Sequence, residues 1–451
     1  MTVESGPTPW RGYDTVSADP DELDRGAEFD VVVVGAGLVG LATAREILRR
    51  QPETSIAILD GVAPAAGASG RGTGLVGPRI GPGIDVLERR FGSATALRSY
   101  RASERAVEIT VALCRELDVE VAESAQYVIA RTAAEERMLF AQMGAYRRLG
   151  VDVLACSRRG LADVTATPVL AGLAYRSAAM VDPARLTTAL ARRVASLGAG
   201  MYHGVPVSDV GLHGGRVRVQ TGRGAVAARS VIVATNVPTI PSVARRVGGI
   251  AGFTVFGAAT SGSAVAGPAE RVGSAFIGAD PLAPFHATRP DGSTTVGGGG
   301  ARSSIPGSVV PFDITTWNWL ERWARITGAI GKNAELGYRW SGPIAVTADG
   351  LPVVGPVEGM PGVWFMGGCG GHGLAMSAYN AGAIADAVSG PGGRLVDLPW
   401  MRSRAPGPRA SKPVRAAVGG YIRVRTLAMR RAQSAAPVRT TNVQREAGDR
   451  K

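Results

Sequence analysis

Three glycine-rich stretches concentrate the residues whose types and spacing could do chemistry. The first is FDVVVVGAGLVGLATAREILRR (29–50), in which Gly35-x-Gly37-x-x-Gly40 follows a run of four valines and opens an apolar helical stretch. Asp60 closes a second apolar run, SIAILD (55–60), about twenty residues beyond the last of these glycines. The first glycine permits a tight turn, the second lets the backbone approach a pyrophosphate, and the third lets the helix pack closely against the strand. The helix start, where Leu38 and Val39 lie, offers unpaired N–H groups and favours an anion. An acid ending the second strand suits a ribose hydroxyl pair and repels a 2′-phosphate. In this strand–turn–helix context the pattern predicts a dinucleotide site, without choosing between NAD and FAD.

The second stretch, GASGRGTGLVGP (67–78), brings Ser69, Gly70, Arg71 and Gly72 just after the second strand. Small, hydroxyl-bearing and cationic, it suits a second approach along an extended phosphate cofactor. The third, VWFMGGCGGHGLAMSAYNAGAIADAV (363–388), reads as a strand, a loop with five glycines among the seven residues Gly367 to Gly373, and an apolar helix. It holds Cys369 and His372, in a chain with only three cysteines and four histidines. Two glycine loops, each opening a helix, imply one long cofactor held at both ends.

Periodicity supplies the elements that must position these loops. Strands buried on both faces and joined through a helix make a parallel βαβ unit with a right-handed crossover. Apolar spacing predicts helices over 94–118, 133–150, 182–198 and 314–329. Asp182 caps the third of these and Pro183 takes its first position. Strands are expected at 216–221, 230–236, 253–259 and 293–299. After Pro391 the chain turns to Pro, Arg, Ala and Gly, and no regular structure is expected there.

Length and composition bound the class. At 451 residues, 45% hydrophobic and 19% charged, the chain should form a globular protein of two or three units. Cys114, Cys156 and Cys369 form no CxxC pair, which points to a reducing, cytoplasmic setting. The polar, acid-rich start and the absence of an 18-residue apolar run argue for a soluble protein. The net charge of +13 is concentrated at one end: residues 401–451 hold 13 Lys or Arg against Glu446 and Asp449. The rest of the chain is left near neutrality, which argues against a nucleic-acid partner. Residues 419–433 read either as part of a mobile solvated tail or as a basic amphipathic helix for an anionic surface.

VVVVGAGLVGLATA, GASGRGTG, VIVATN and TADGLPVVGPVEGMPGVWFMGGCGGHGLAMS stand in this order over roughly residues 29–390. Together they resemble the FAD-dependent oxidoreductases of the D-amino acid oxidase superfamily, above all its sarcosine oxidase, glycine oxidase and γ-glutamylputrescine oxidase branch. The resemblance implies an α/β fold with a discontinuous Rossmann-like FAD-binding domain from 28–92, 180–240 and 341–392. An α+β substrate domain with a mostly antiparallel or mixed sheet would come from 93–179 and 241–340, between an N-terminal extension (1–27) and a basic, flexible tail (393–451). It further implies that Gly371, His372, Gly373 and Leu374 face the pyrimidine edge of the flavin. Ser69 to Gly72 would make the middle contact, and Val207 would meet adenine through its backbone. The implied reaction is oxidation of an amine or amino acid by hydride transfer to flavin N5, with hydrolysis of the resulting imine. Oxygen or another acceptor would then reoxidise the cofactor.

Several positions depart from that family's pattern. No cysteine stands in WSGPIAV (340–346), where some sarcosine oxidases attach flavin covalently, so FAD should be held non-covalently and Cys369 should be a small apolar filler. Lys332 is the only lysine before the tail and does not match the branch's oxygen-activating position. Ala375 stands where a lysine usually ends the flavin loop. A slow oxidase or a dehydrogenase is therefore credible. His372 and His286 are the candidate catalytic residues, while His203 and His213 read as ordinary. Arg79, Tyr338 and Arg339 are candidates to anchor a carboxylate or orient an amine, against a packing role for each. No metal site is expected. The alternatives are a flavin-holding non-catalytic subunit or interaction protein and, disfavoured by the third glycine loop, an NAD-dependent dehydrogenase.

Overall fold

The computed structural model describes residues 8–10, 23–263, 273–303, 313–390, 395–408 and 411–435. Two sheets organise them. The first has the order β17 (Val353–Pro356), β18 (Val363–Gly367), β10 (Gly224–Asn236), β1 (Glu28–Val34), β2 (Ile56–Leu59) and β7 (Gly200–Tyr202). β18, β10, β1, β2 and β7 run parallel, and only β17 is reversed on this path. β10 does two jobs along its length. Its first half pairs antiparallel with β9 (Arg216–Thr221), itself hairpinned to β8 (Val207–His213), and its second half inserts between β1 and β18.

The four valines of β1 show why a central parallel strand reads as a continuous apolar run. Val31 and Val33 point into a core shared with α1 (Leu38–Arg50), α3 (Ser93–Glu116), α6 (Pro183–Ser196) and α9 (Gly373–Ser389). Val32 and Val34 point the other way, against Val217, Val219, Val231 and Val233. α9 packs on both α1 and α3, and the Thr110 hydroxyl of α3 donates to the Ala375 carbonyl at 3.0 Å. Asp182 caps α6 as expected, accepting from the N–H groups of Ala184 and Arg185.

The second sheet follows the order β15 (Arg302–Ser303), β11 (Ile250–Ser263), β14 (Ser293–Gly297), β13 (Phe285–Thr288), β12 (Ala275–Gly278), β4 (Val121–Ala130), β6 (Ala171–Val181) and β3 (Leu75–Val76). β16 (Tyr338–Thr347) joins beside β11 and β5 (Leu154–Ser157) beside β6. The sheet is mixed because β12 runs parallel to β4 while its other pairs are antiparallel. Residues 341–347, grouped with the first unit on sequence, pair in this second sheet.

Sequence periodicity misses β4 and β6, which are rich in alanine, a weak strand former. Their mutual pairing from Val121 to Ala130 supplies what local propensity does not. It also misses α2 (Ile84–Phe91), between β3 and α3. α4 (Ala133–Arg148) begins with a reciprocal capping box between Thr132 and Glu135. α5 (Arg158–Ala162) and α7 (Pro241–Ala244) are short, and α8 (Ile314–Thr327) is capped by Asp313.

The expectation of an irregular, flexible tail does not hold for residues 395–408 and 411–435. Trp400 is wholly buried and donates Nε1–H to Asn380 Oδ1 at 3.0 Å. The Val354 and Arg402 N–H groups bond the Trp400 and Val354 carbonyls, and the Arg402 guanidinium grips Asp349 at 2.6 and 2.9 Å. Beyond this, α10 (Lys412–Ala435) lies on the second sheet, burying Met429 and Gln433. Proline, glycine and arginine hide this order because most of its contacts are polar and non-local. Trp10 is likewise buried: its Nε1–H donates to the Gly72 carbonyl at 2.9 Å, and the Arg289 guanidinium lies 4.8 Å from its ring centroid.

Candidate active site

The parallel order β18–β10–β1 determines where the chemistry gathers. Because these strands are neighbours pointing one way, Gly35, Asn236 and Gly367 finish on the same sheet edge, the carboxyl edge at which open α/β sheets bind ligands. The first and third glycine stretches, some 330 residues apart, thereby become adjacent.

At Gly40 a Cβ would sit 2.1 Å from the Gly35 carbonyl oxygen, so the helix start can lie this close to the turn only without a side chain. Leu38 N–H is taken by the Ser69 hydroxyl at 2.9 Å. The N–H groups of Gly37, Val39 and Gly40 have no acceptor among the described residues, an arrangement suited to phosphate. Asp60 faces the same turn, its carboxylate accepting from Ala36 N–H at 2.7 Å and Val62 N–H at 2.8 Å. The Val205 N–H bonds the Asp60 carbonyl and the Gly204 N–H that of Val62. Val207, two residues on at the start of β8, is thus held near the acid.

The middle stretch folds as a 3₁₀ turn over Ala68–Gly70. It meets the first helix through Ser69 and the second sheet through Arg71, whose carbonyl accepts from Trp340 Nε1 at 3.1 Å. The Arg71 guanidinium reaches the Ala66 and Ser341 carbonyls at 3.3 and 3.4 Å, a structural tie across the two units. Gly72 accepts from Trp10.

In the third stretch, Gly368, Gly370 and Gly371 all take positive φ, the left-handed region that disfavours a side chain. Gly368 N–H bonds the Asn236 carbonyl, Gly370 N–H that of Ala345 and His372 N–H that of Cys369. Gly371 is exposed and a Cβ there would meet nothing within 4 Å, so the turn presents bare backbone. α9 starts at Gly373 with no side-chain cap, and the N–H groups of Gly373 and Leu374 have no acceptor among the described residues.

His372 is half-buried, and its Nδ1 is buried without a hydrogen-bond partner. Burial, with the Arg79 guanidinium adding repulsion, lowers its pKa to about 4, so the imidazole is neutral at ordinary pH. Cys369 is pushed up to about 11 by burial and stays a thiol. Arg79 lines a small, half-open cleft together with Ile80, Tyr100, Ser103, Gln142, Tyr146 and Tyr175 among others. The Tyr146 and Tyr175 hydroxyls are 2.8 Å apart, and burial raises the pKa of both, so they remain neutral hydrogen-bonding groups.

The family described as FAD dependent oxidoreductase matches residues 30–387. The chain belongs to that family. A probable oxidoreductase, OrdL, of Haemophilus influenzae is 24% identical over 379 residues, covering 81% of this chain and 84% of its own. Glycine oxidase of Geobacillus kaustophilus is 26% identical over 377 residues, covering 80% and 93%. The crystal structure of the latter covers 84% of this chain and 100% of its own with a TM-score of 0.71 at 20% identity. L-proline dehydrogenase from P. horikoshii covers 88% and 99% with a TM-score of 0.69 at 18% identity. The NAD-dependent alternative falls with the family match.

As an FAD dependent oxidoreductase the chain carries residues that fit its cofactor. Among the described residues, three N–H groups without an acceptor stand beside an acid at one end of the sheet edge, and a helix without a side-chain cap stands behind a bare glycine turn at the other. Among the described residues no His, Cys, Asp and Glu cluster could hold a metal. The structure moves His286 away from this region. It is wholly buried on the sheet face of Phe276, stacked on that ring at 4.8 Å and 6.4 Å from Trp323. Its neighbour Ala287 faces the other way, toward Trp10, Met180 and Ala275. Strand alternation therefore makes His286 a core residue rather than a pocket lining. Tyr338 begins β16, and Arg339 pairs with Glu321 at 2.9 Å. The Tyr146–Tyr175 pair has no signal in the sequence, since its members stand on α4 and on the strand β6 that periodicity misses.

Proposed function

We propose that this FAD dependent oxidoreductase oxidises the C–N bond of a small amine that also carries a carboxylate, an amino acid in the broad sense. One observation carries the reading. Arg79 is half-buried in the lining of the tyrosine-lined cleft, near enough to His372 to act on its charge, and among the described residues no carboxylate or other hydrogen-bond acceptor pairs with it. A cation so placed is suited to an anionic substrate group, with the Tyr146 and Tyr175 hydroxyls near enough to share it. The similarity to glycine oxidase supports the same substrate class.

The two glycine turns would hold FAD, without a covalent bond, and FAD would supply the hydride acceptor. The chain's own residues do the rest by position and field. Arg79 holds the carboxylate and so orients the substrate's α-carbon toward the sheet edge. The neutral His372 adds no positive charge beside a substrate amine that must be unprotonated to react. The uncapped start of α9 places partial positive charge at the same spot, where electron density is to be received. Small apolar groups, Cys369 among them, restrict water. Neither Lys332 nor any other described lysine lies in this region, which favours an electron acceptor other than oxygen. The three free thiols fit a cytoplasmic setting.

The test is anaerobic titration of the purified holoenzyme with amino acids, N-alkyl amino acids and the matching decarboxylated amines, followed through flavin absorbance. Bleaching by carboxylate-bearing amines, lost by a factor of a hundred or more in Arg79→Met at unchanged flavin content, is expected for a lost charge-assisted pair on the order of 3 kcal/mol. Equal bleaching by the decarboxylated amines would overturn the reading.

A further inference from the structure

Helix α10 presents two unlike faces. Its inner face is committed to the protein. Arg425 pairs with Asp280 at 2.9 Å, and Arg430 donates to the Gly299 carbonyl and the Thr316 hydroxyl while lying 5.1 Å from the Trp319 ring centroid. Met429 is buried, and Gln433 bridges Arg131 and Glu135. These residues recur at helical spacing, so the opposite face is turned outward.

That outward face is apolar along its middle and cationic beside it. Tyr421, Val424 and Leu427 are 60%, 66% and 51% exposed, with Ala417, Gly420 and Ala428 exposed alongside. Arg423 and Arg431 are exposed and have no partner among the described residues. The helix carries six Lys or Arg and no acid, and Arg439, Arg445, Arg450 and Lys451 follow it in the sequence. No helix of the described residues is long and apolar enough to cross a membrane.

We infer that α10 is a surface anchor that lays Tyr421, Val424 and Leu427 into an anionic lipid bilayer, with Arg423 and Arg431 held at the headgroups. Exposed large apolar side chains beside cations, on a helix that carries no acid, are complementary to the lipid interface, where acyl chains meet anionic headgroups. A second copy of the chain is a poor occupant, because two such faces would bring like charges together without any acid to offset them. The anchor is independent of the substrate proposed above and would hold whichever amine is oxidised.

The experiment is co-sedimentation of the full-length holoenzyme with sucrose-loaded vesicles of phosphatidylcholine alone or mixed with phosphatidylglycerol. Pelleting with the anionic vesicles, and not with the neutral ones, is the expected result. Val424→Asp with Leu427→Asp should remain in the supernatant with flavin content and melting temperature unchanged. Arg423→Gln with Arg431→Gln should weaken partitioning about thirty-fold, from about 1 kcal/mol per cation near an anionic surface. Absence of the wild type from the anionic pellet would overturn the inference, as would full pelleting of the double aspartate variant. Capture by polyglutamate beads without vesicle binding would also overturn it, and would assign the face to an acidic protein partner.

Discussion

At the scale of single residues, the site is built from what side chains leave out and from charges that environment suppresses. His372 has a folded pKa near 4 against an ordinary value of 6.5, so between those values the unfolded chain binds a proton that the folded chain refuses. Stability therefore rises with pH across that window and is unaffected by this group above it. His372→Gln should flatten the dependence, and thermal melts from pH 4 to 7 on both proteins would show it; parallel curves would mean that the imidazole is not held neutral. Cys369, held as a thiol by a pKa near 11, should resist iodoacetamide at pH 8 in the folded protein and react after unfolding. Mass spectrometry of the alkylated peptide reads this directly, and acid precipitation should leave all the flavin in the supernatant, as a non-covalent cofactor requires. Gly371 and its neighbours were legible from sequence because a turn with repeated positive φ and bare backbone strongly favours glycine. Arg79 was only one arginine among 47 until folding set it against Tyr146, Tyr175 and His372.

At the scale of elements, α4, α6 and α8 carry a local start signal as well as apolar spacing, while α3 was found by spacing alone. Asp182 and Pro183 announce α6, and Asp182→Ala should cost about 1 kcal/mol in urea denaturation, because two helix N–H groups lose their acceptor. No change would place the cap outside the cooperative unit. Elements lacking both kinds of signal were hidden. β4 and β6 pair across nearly their whole length despite their alanines, and that pairing carries Gln126 and Tyr175 in register with one another. Which face of β13 holds His286 was equally out of reach, since alternation tells that neighbours point apart but not which side meets the other sheet.

At the scale of the whole molecule, the C-terminal residues convert from an appendage into part of the fold. Trp400 closes over α9 and the Arg402–Asp349 pair fastens the turn that precedes β17. Truncation after Gly390 should therefore lower the melting temperature and loosen flavin, because Asn380 and Asp349 lose buried partners, and unpaired buried polar groups are costly. Truncation after Pro408 should spare flavin while exposing the Arg131–Glu135 site that Gln433 covers. A scanning calorimeter distinguishes both from a flexible tail, whose removal would leave the melting temperature unchanged.

By itself the sequence determined the dinucleotide-type cofactor, the family and the order of the three glycine turns. Each of these rests on short-range requirements, a turn that admits no Cβ and a strand buried on both faces, and such requirements are written within a few residues. Tertiary structure alone decided that the first and third turns share one sheet edge and that Arg79 stands beside the tyrosines with no partner among the described residues. It alone turned His286 into a core residue and put α10 on the surface with an apolar stripe outward. These depend on strand order, register and the packing of segments tens to hundreds of residues apart, and no local pattern encodes which distant surface a side chain will meet.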